Sequence, residues 1–188
     1  MPMVNKAAVI ANANTARKRC CCKQLPCPRP GLRVDIIQKF ATADSPANTD
    51  EVAEFEFGKV TDGGIITEAI DFQLALDKWI EAIPALEGNS GNNFAVRFTG
   101  YITFDTAGTK TIKVKTDDGL AMKVNGRRLE FEPRIKVSQG CTTHTAQINV
   151  SKGLTHIEIA WHQRFGGRCL QLSEDDTVID PSRFVHYV

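Results

Sequence analysis

The chain reads as an all-β protein: an antiparallel β-sandwich of jelly-roll type with one short helix and an extended N-terminal arm. Three observations predict this. Apolar and polar residues alternate along Val96-Arg97-Phe98-Thr99-Gly100-Tyr101-Ile102-Thr103-Phe104, the pattern of a half-buried strand. Turn residues then recur at short intervals, as Asp105-Thr106-Ala107-Gly108, Asp117-Asp118-Gly119 and Asn125-Gly126. Residues 1–30 show no such period and carry cations and prolines instead. A chain of 188 residues holds one well-buried domain and an appendage rather than two full domains.

Charge marks the first boundary. Residues 1–34 carry Lys6, Arg17, Lys18, Arg19, Lys23, Arg29 and Arg33 and no acid, so the remainder holds a formal −6. Pro26-Cys27-Pro28-Arg29-Pro30 forces an extended connector, because proline fixes φ and restricts the residue before it. We therefore divide the chain into a basic Cys/Pro-rich arm (1–30), a sandwich (31–173) and a C-terminal tail (174–188). The arm suits docking on neighbouring subunits, through Arg17, Lys18, Arg19, Cys20, Cys21, Cys22 and Cys27. It lacks aromatic residues for stacking on bases, so nucleic acid is not the expected partner.

Past Gly31, Leu32, Val34 and Ile36 alternate with Arg33 and Asp35 as a first strand. Ala53, Phe55 and Phe57 alternate as another, and Asp62-Gly63-Gly64 is expected to turn the chain. Phe72, Leu76, Trp79, Ile80 and Ile83 instead follow helical spacing, with Asp71 as a cap and Pro84 as a stop. Strands follow at residues 94–104, 111–116 and 120–124. Asn125-Gly126 closes the last of these as a type I′ turn, and Leu129 and Phe131 return. Further strands are expected at 145–150, 155–161 and 168–172.

Six cysteines allow fifteen pairings. The run Cys20-Cys21-Cys22 with Cys27 admits zinc, palmitoylation, disulfides or free thiols, and its spacing does not choose among them. Cys141 and Cys169 sit near strand starts and suit pairing with each other or with the arm. No apolar run approaches the roughly 18–20 residues that span a bilayer. The N-terminal apolar stretch is shorter than the ~7–15 residues of a signal h-region, so the chain is expected to be non-secreted and associated with an assembly or virion.

The ordered set Gly31-Leu32, Val96-Arg97-Phe98-Thr99-Gly100-Tyr101-Ile102, Thr116-Asp117-Asp118-Gly119-Leu120, Val124-Asn125-Gly126, Gly153 before Ile157-Glu158-Ile159, and Leu170-Gln171-Leu172 resembles the protective-antigen-fourteen domain family. The resemblance spans about residues 31–173 and implies a β-sandwich that binds, mostly, carbohydrate. In the adhesin branch two adjacent aspartates hold calcium, which coordinates sugar hydroxyls; Asp117 and Asp118 match them. Calcium takes about six to eight oxygen ligands. The loop expected to complete the site, with His162, Gln163, Arg164 and Arg168 as candidate ligand-binding residues, has no carboxylate and two guanidinium groups. Those groups suit pairing with Asp117 or Asp118, so the carboxylates are expected to brace the tip, with no cofactor beyond the calcium that the resemblance implies.

Catalysis is not expected. His144, His156, His162 and His186 read as rim histidines, and adjacent aspartates do not straddle a sugar as the two carboxyl groups of a glycosidase do. Neither a phosphate loop nor a dinucleotide fingerprint occurs. Two functions remain open. One is a structural or interaction component of a large assembly, such as a minor capsid, coat or internal lattice protein, with other protein subunits as partners. The alternative is a calcium-dependent carbohydrate-binding adhesin module.

Overall fold

A computed structural model describes residues 27–38, 62–73, 94–136, 138–164 and 166–188. The chain divides into two compact units, one of residues 1–29 with 187–188 and one of residues 30–186. In the first, Cys27 is half-buried, and Pro28, Arg29, Tyr187 and Val188 are exposed. Arg17, Lys18, Arg19, Cys20, Cys21 and Cys22 lie outside the described residues.

The second unit is a sandwich of two antiparallel sheets. Its strands are β1 (Pro28–Pro30, straddling the unit boundary), β2 (Leu32–Gln38), β3 (Asp62–Ile66), β4 (Asp71–Gln73), β5 (Phe94–Phe104), β6 (Gly108–Asp117), β7 (Leu120–Val124), β8 (Arg127–Arg128), β9 (Thr142–Val150), β10 (Gly153–Gln163), β11 (Cys169–Glu174), β12 (Thr177–Val178) and β13 (Phe184–Tyr187). The larger sheet runs β13–β5–β10–β7–β8, with β2 on β5 and β3 on β2; the smaller runs β12–β11–β6–β9, with β4 on β11. All-β architecture is thus as the alternation predicts.

The centre of the larger sheet is the pairing of β10 with β5, in register from Gly153 opposite Phe104 to Gln163 opposite Phe94. Alternation turns Val96, Phe98, Ile102 and Phe104 inward from β5, and Ile157, Ile159 and Trp161 inward from β10. Ile112 and Val114 of β6 and Leu170 and Leu172 of β11 meet them from the smaller sheet, all fully buried. Each such side chain contributes roughly 1.5–3 kcal/mol relative to exposure. The outer edge of β5 is shared: residues 94–99 pair with β2 and residues 101–102 with β13. Gly100 sits at the join, where a Cβ would lie 2.7 Å from both Leu32 Cδ2 and Val185 O.

Several expectations change. Asp62-Gly63-Gly64 is strand, with Gly63 opposite Asp35 and Gly64 opposite Val34; among the described residues β3 pairs with β2 alone. Asp71 and Phe72 belong to β4, because Phe72 fills the core beside Leu170, so Asp71 does not cap the expected helix. Leu76, Trp79, Ile80 and Ile83 lie outside the described residues, as do Ala53, Phe55 and Phe57. The segment after Ser173 is no tail: Ile179 and Phe184 are each 1% exposed within the core. The Asn125-Gly126 turn has φ of 49° and 77°, the left-handed pair of a type I′ turn. Cys141 and Cys169 form a disulfide, with Cα atoms 5.9 Å apart.

Candidate functional site

One end of the sandwich gathers the residues that the sequence singled out. Strand β6 ends at Asp117, a cis peptide joins it to Asp118, and β7 starts two residues later at Leu120. Trp161 of β10 reaches across the core and donates from Nε1 to the Asp117 carbonyl, at 3.0 Å. Phe94 meets the Trp161 ring edge-on, with centroids 5.0 Å apart. The backbone bearing the carboxylate pair is therefore held by two of the largest buried side chains.

The two carboxylates have different work. Asp118, 3% exposed, accepts from Gln139 N through Oδ1 (3.2 Å) and from Arg164 N through Oδ2 (2.9 Å). Thr116 Oγ1 donates to its carbonyl at 3.1 Å. Asp118 thus ties three chain segments, as the bracing expectation has it. The partners differ from that expectation, being backbone N–H groups rather than the Arg164 or Arg168 guanidinium. A fixed N–H confines a carboxylate without ordering a long side chain.

Asp117 accepts no hydrogen bond and joins no ion pair through its carboxylate among the described residues. Burial, then the neighbouring charge of Asp118, pushes its pKa up to about 6. No cation offsets either effect. A carboxylate that is 7% exposed, beside another carboxylate, favours a proton or a bound cation at neutral pH.

The loop after β10 is built differently from the expectation. His162 and Gln163 are fully buried, so neither presents a side chain to solvent. The His162 N–H donates to Gly119 O at 3.0 Å. Burial lowers the imidazole pKa to about 4, Asp118 pulling it up and Arg164 down. Gln163 Nε2 donates to Gly167 O at 2.6 Å, while its Oε1 is buried with no hydrogen-bond partner among the described residues. Arg164 and Arg168 are half-buried.

Sequence reasoning missed the support beneath Asp118. His144, read as a rim residue, is 1% exposed. Its Nδ1 lies 2.6 Å from Pro133 O, and its Nε2 lies 2.8 Å from Gln139 Nε2. Since the carbonyl only accepts and the amide nitrogen only donates, the tautomer with its proton on Nδ1 satisfies both contacts. Gln139 Oε1 accepts from Lys136 N at 3.1 Å, so the loop bearing the Gln139 N–H is anchored on His144. The disulfide closes the same end: Cys169 lies opposite Asp117 across β11 and β6, and Cys141 follows Gln139 by two residues. His186 is also buried, and His156 is half-buried.

The donors at this end are oxygens: both Asp117 carboxylate atoms, the spare lone pairs of Asp118 and the orphaned Gln163 Oε1. That chemistry fits a hard cation such as calcium. Among the described residues no group of three His, Cys, Asp or Glu side chains converges, so other ligands would be carbonyl, amide, water or ligand oxygens.

Residues 77–164 match the family model of the PA14 domain. Among solved structures, the PA14 sugar-binding domain from an RTX adhesin superimposes with a TM-score of 0.62 at 20% identity, covering 84% of this chain and 98% of that one. The PA14 domain of the MpAFP antifreeze protein gives 0.63 at 18% identity, covering 87% and 94%. The epithelial adhesin 6 A domain from Candida glabrata, in complex with Galβ1-3GlcNAc, gives 0.61 at 13% identity, covering 87% and 89%. No curated protein matches. The sequence match spans the segment that carries Asp117, Asp118 and Trp161, and the fold match extends to most of the remaining chain, so this chain resembles the PA14 domain in sequence over that segment and in fold beyond it.

Proposed function

We propose that this domain is a non-catalytic carbohydrate-binding module of the adhesin type, with its ligand site at Asp117 and Asp118. The observation that carries the reading is the Asp117 carboxylate, largely buried and without a partner among the described residues, with its pKa raised to about 6. Asp117, Asp118 and the Gln163 Oε1 would hold calcium. Once bound, the ion supplies a Lewis-acidic centre for sugar hydroxyls. Asp118 keeps the site in shape through Gln139 N and Arg164 N, and Trp161 fixes the backbone from beneath. Sugar-binding solved relatives support carbohydrate as the ligand class. An assembly role gains no comparable support, and the arm residues that suggested it, Cys27 apart, lie outside the described residues. The disulfide favours an oxidising compartment, the opposite of the expectation of a non-secreted chain.

Trp161 provides the test. Calcium titration of the whole protein, followed by tryptophan fluorescence and calorimetry, is expected to give saturable binding in roughly the micromolar-to-millimolar range of calcium modules. Asp117→Asn is expected to weaken it at least about tenfold. Absence of heat and of any fluorescence change at millimolar calcium would overturn the metal. Glycan binding that EDTA and Asp117→Asn both leave unchanged would move the sugar elsewhere.

A further inference from the structure

We infer that the outer face of the smaller sheet carries a second, calcium-independent site that takes the carboxylate and hydroxyls of an acidic sugar. Alternation along β6 turns Ile112, Val114 and Thr116 into the core and leaves Lys113 and Lys115 outside. Register then sets their neighbours. Lys115 lies opposite Thr143 of β9 and Gln171 of β11, and Lys113 lies opposite Ser173 of β11. These side chains, with Asp176 from the β11–β12 turn, line a shallow cavity of about 140 Å³.

The groups in this cavity are not equivalent. Lys113 is paired with Asp176. Gln171 Nε2 donates to Asp71 Oδ1 at 2.7 Å, which leaves Gln171 Oε1 as an acceptor. Lys115, Thr143 and Ser173 make no side-chain hydrogen bond or ion pair among the described residues. One ammonium and two hydroxyls therefore face the same space, and Ser173 is only 7% exposed.

Charge and hydrogen-bond capacity select the ligand. A phosphate dianion would meet one unpaired cation and the repelling Asp176, without the converging backbone N–H groups that usually hold phosphates. A carboxylate monoanion on Lys115, carried by a ring whose hydroxyls reach Ser173, Thr143 and Gln171 Oε1, satisfies every open group. The cavity is well below the ~300–1,000 Å³ of typical small-molecule sites, which suits one sugar-acid unit held weakly, in roughly the millimolar range. This site shares no residue with Asp117–Asp118, so it stands or falls separately from the calcium reading.

The test is an amide-resolved NMR titration of the whole protein in EDTA with galacturonate, using galactose as the neutral comparator and inorganic phosphate as a competitor. Galacturonate is expected to bind about tenfold more tightly than galactose, perturbing the amides of Lys115 and Ser173. Lys115→Ala is expected to cost about tenfold, the worth of one charge-assisted hydrogen bond, and Lys115→Arg to retain binding. Asp117→Asn is expected to leave it unchanged. Ser173→Ala, which removes a single hydroxyl, is expected to weaken binding severalfold and covers the case in which Lys115→Ala does not fold. Equal affinity for galactose, phosphate binding as tight as galacturonate, perturbations confined to other strands, or indifference to both Lys115→Ala and Ser173→Ala would each overturn the proposal.

Discussion

Asp117 and His162 pull in opposite directions as the pH changes, and each carries its own titration window. The Asp117 pKa rises from 3.8 to about 6 on folding, so between those values the folded chain holds a proton that the unfolded chain releases. Its effect is to lower stability as pH rises through that window, and above it the ionised carboxylate is a standing cost. The His162 pKa falls from 6.5 to about 4. There the unfolded chain holds the extra proton, so the contribution of His162 is complete above pH 6.5 and is lost as pH falls towards 4. The two windows overlap and largely cancel in the metal-free wild type. Asp117→Asn removes one of them. The variant is expected to be more stable than wild type at pH 7 without calcium, and to lose stability more steeply between pH 6.5 and 4. Urea midpoints measured across that range check both statements; parallel profiles for the two proteins would show that Asp117 is not the titrating group. Calcium at the proposed site would compete with the same proton, so its affinity is expected to decline as pH falls below about 6.

Among elements, the segment from β8 to β9 depends most on a covalent tie. The disulfide joins Cys141 to Cys169, 28 residues apart, and fastens the Gln139 loop beside the strand end that carries Asp117. Closing a loop of this length in the unfolded chain is worth about 3–4 kcal/mol in the chain-entropy model. The double variant Cys141→Ser, Cys169→Ser is expected to lose about that much by chemical denaturation and to bind calcium more weakly, since the Gln139 N–H no longer holds Asp118 in place. Unchanged calcium affinity in a folded double variant would separate the loop from the site. The tie also shows where sequence reading stops. Alternation made β2, β5, β6, β7, β10 and β11 legible, because burial on one face imposes a period of two. The Asn125-Gly126 turn was legible for its backbone preference. The site was legible only as far as Asp117 and Asp118. What braces Asp118 is a pair of backbone N–H groups from Gln139 and Arg164, and any residue but proline supplies one. His144, too, reads like any other histidine until Pro133 and Gln139 are brought against it. Asp62-Gly63-Gly64 misled because glycine pairs mark turns by propensity, whereas pairing with β2 decides their conformation.

At the scale of the whole molecule, the sandwich needs its last strands and not its first segment. The unit of residues 30–186 contains both sheets and the buried core, so a protein beginning at Pro30 has every described strand but the first two residues of β1. Residues 174–186 look dispensable by composition, yet they complete both sheets. Glu174 reaches Arg183 and Lys110, and Arg183 stacks on the Phe104 ring at 5.1 Å while donating to Thr103 O. Ile179 and Phe184 fill the core between them. Deleting two buried side chains of this size costs on the order of 5–10 kcal/mol, comparable with the whole stability of a domain of this length. Removal of residues 1–29 is therefore expected to leave the thermal midpoint within a few degrees of the full chain, whereas truncation after Ser173 is expected to abolish cooperative unfolding. Calorimetry of the two deletion proteins decides the matter. A truncated chain ending at Ser173 that still melts cooperatively would mean that the sheets close without β12 and β13. Loss of the transition on removing residues 1–29 would mean that the N-terminal segment is part of the folding unit.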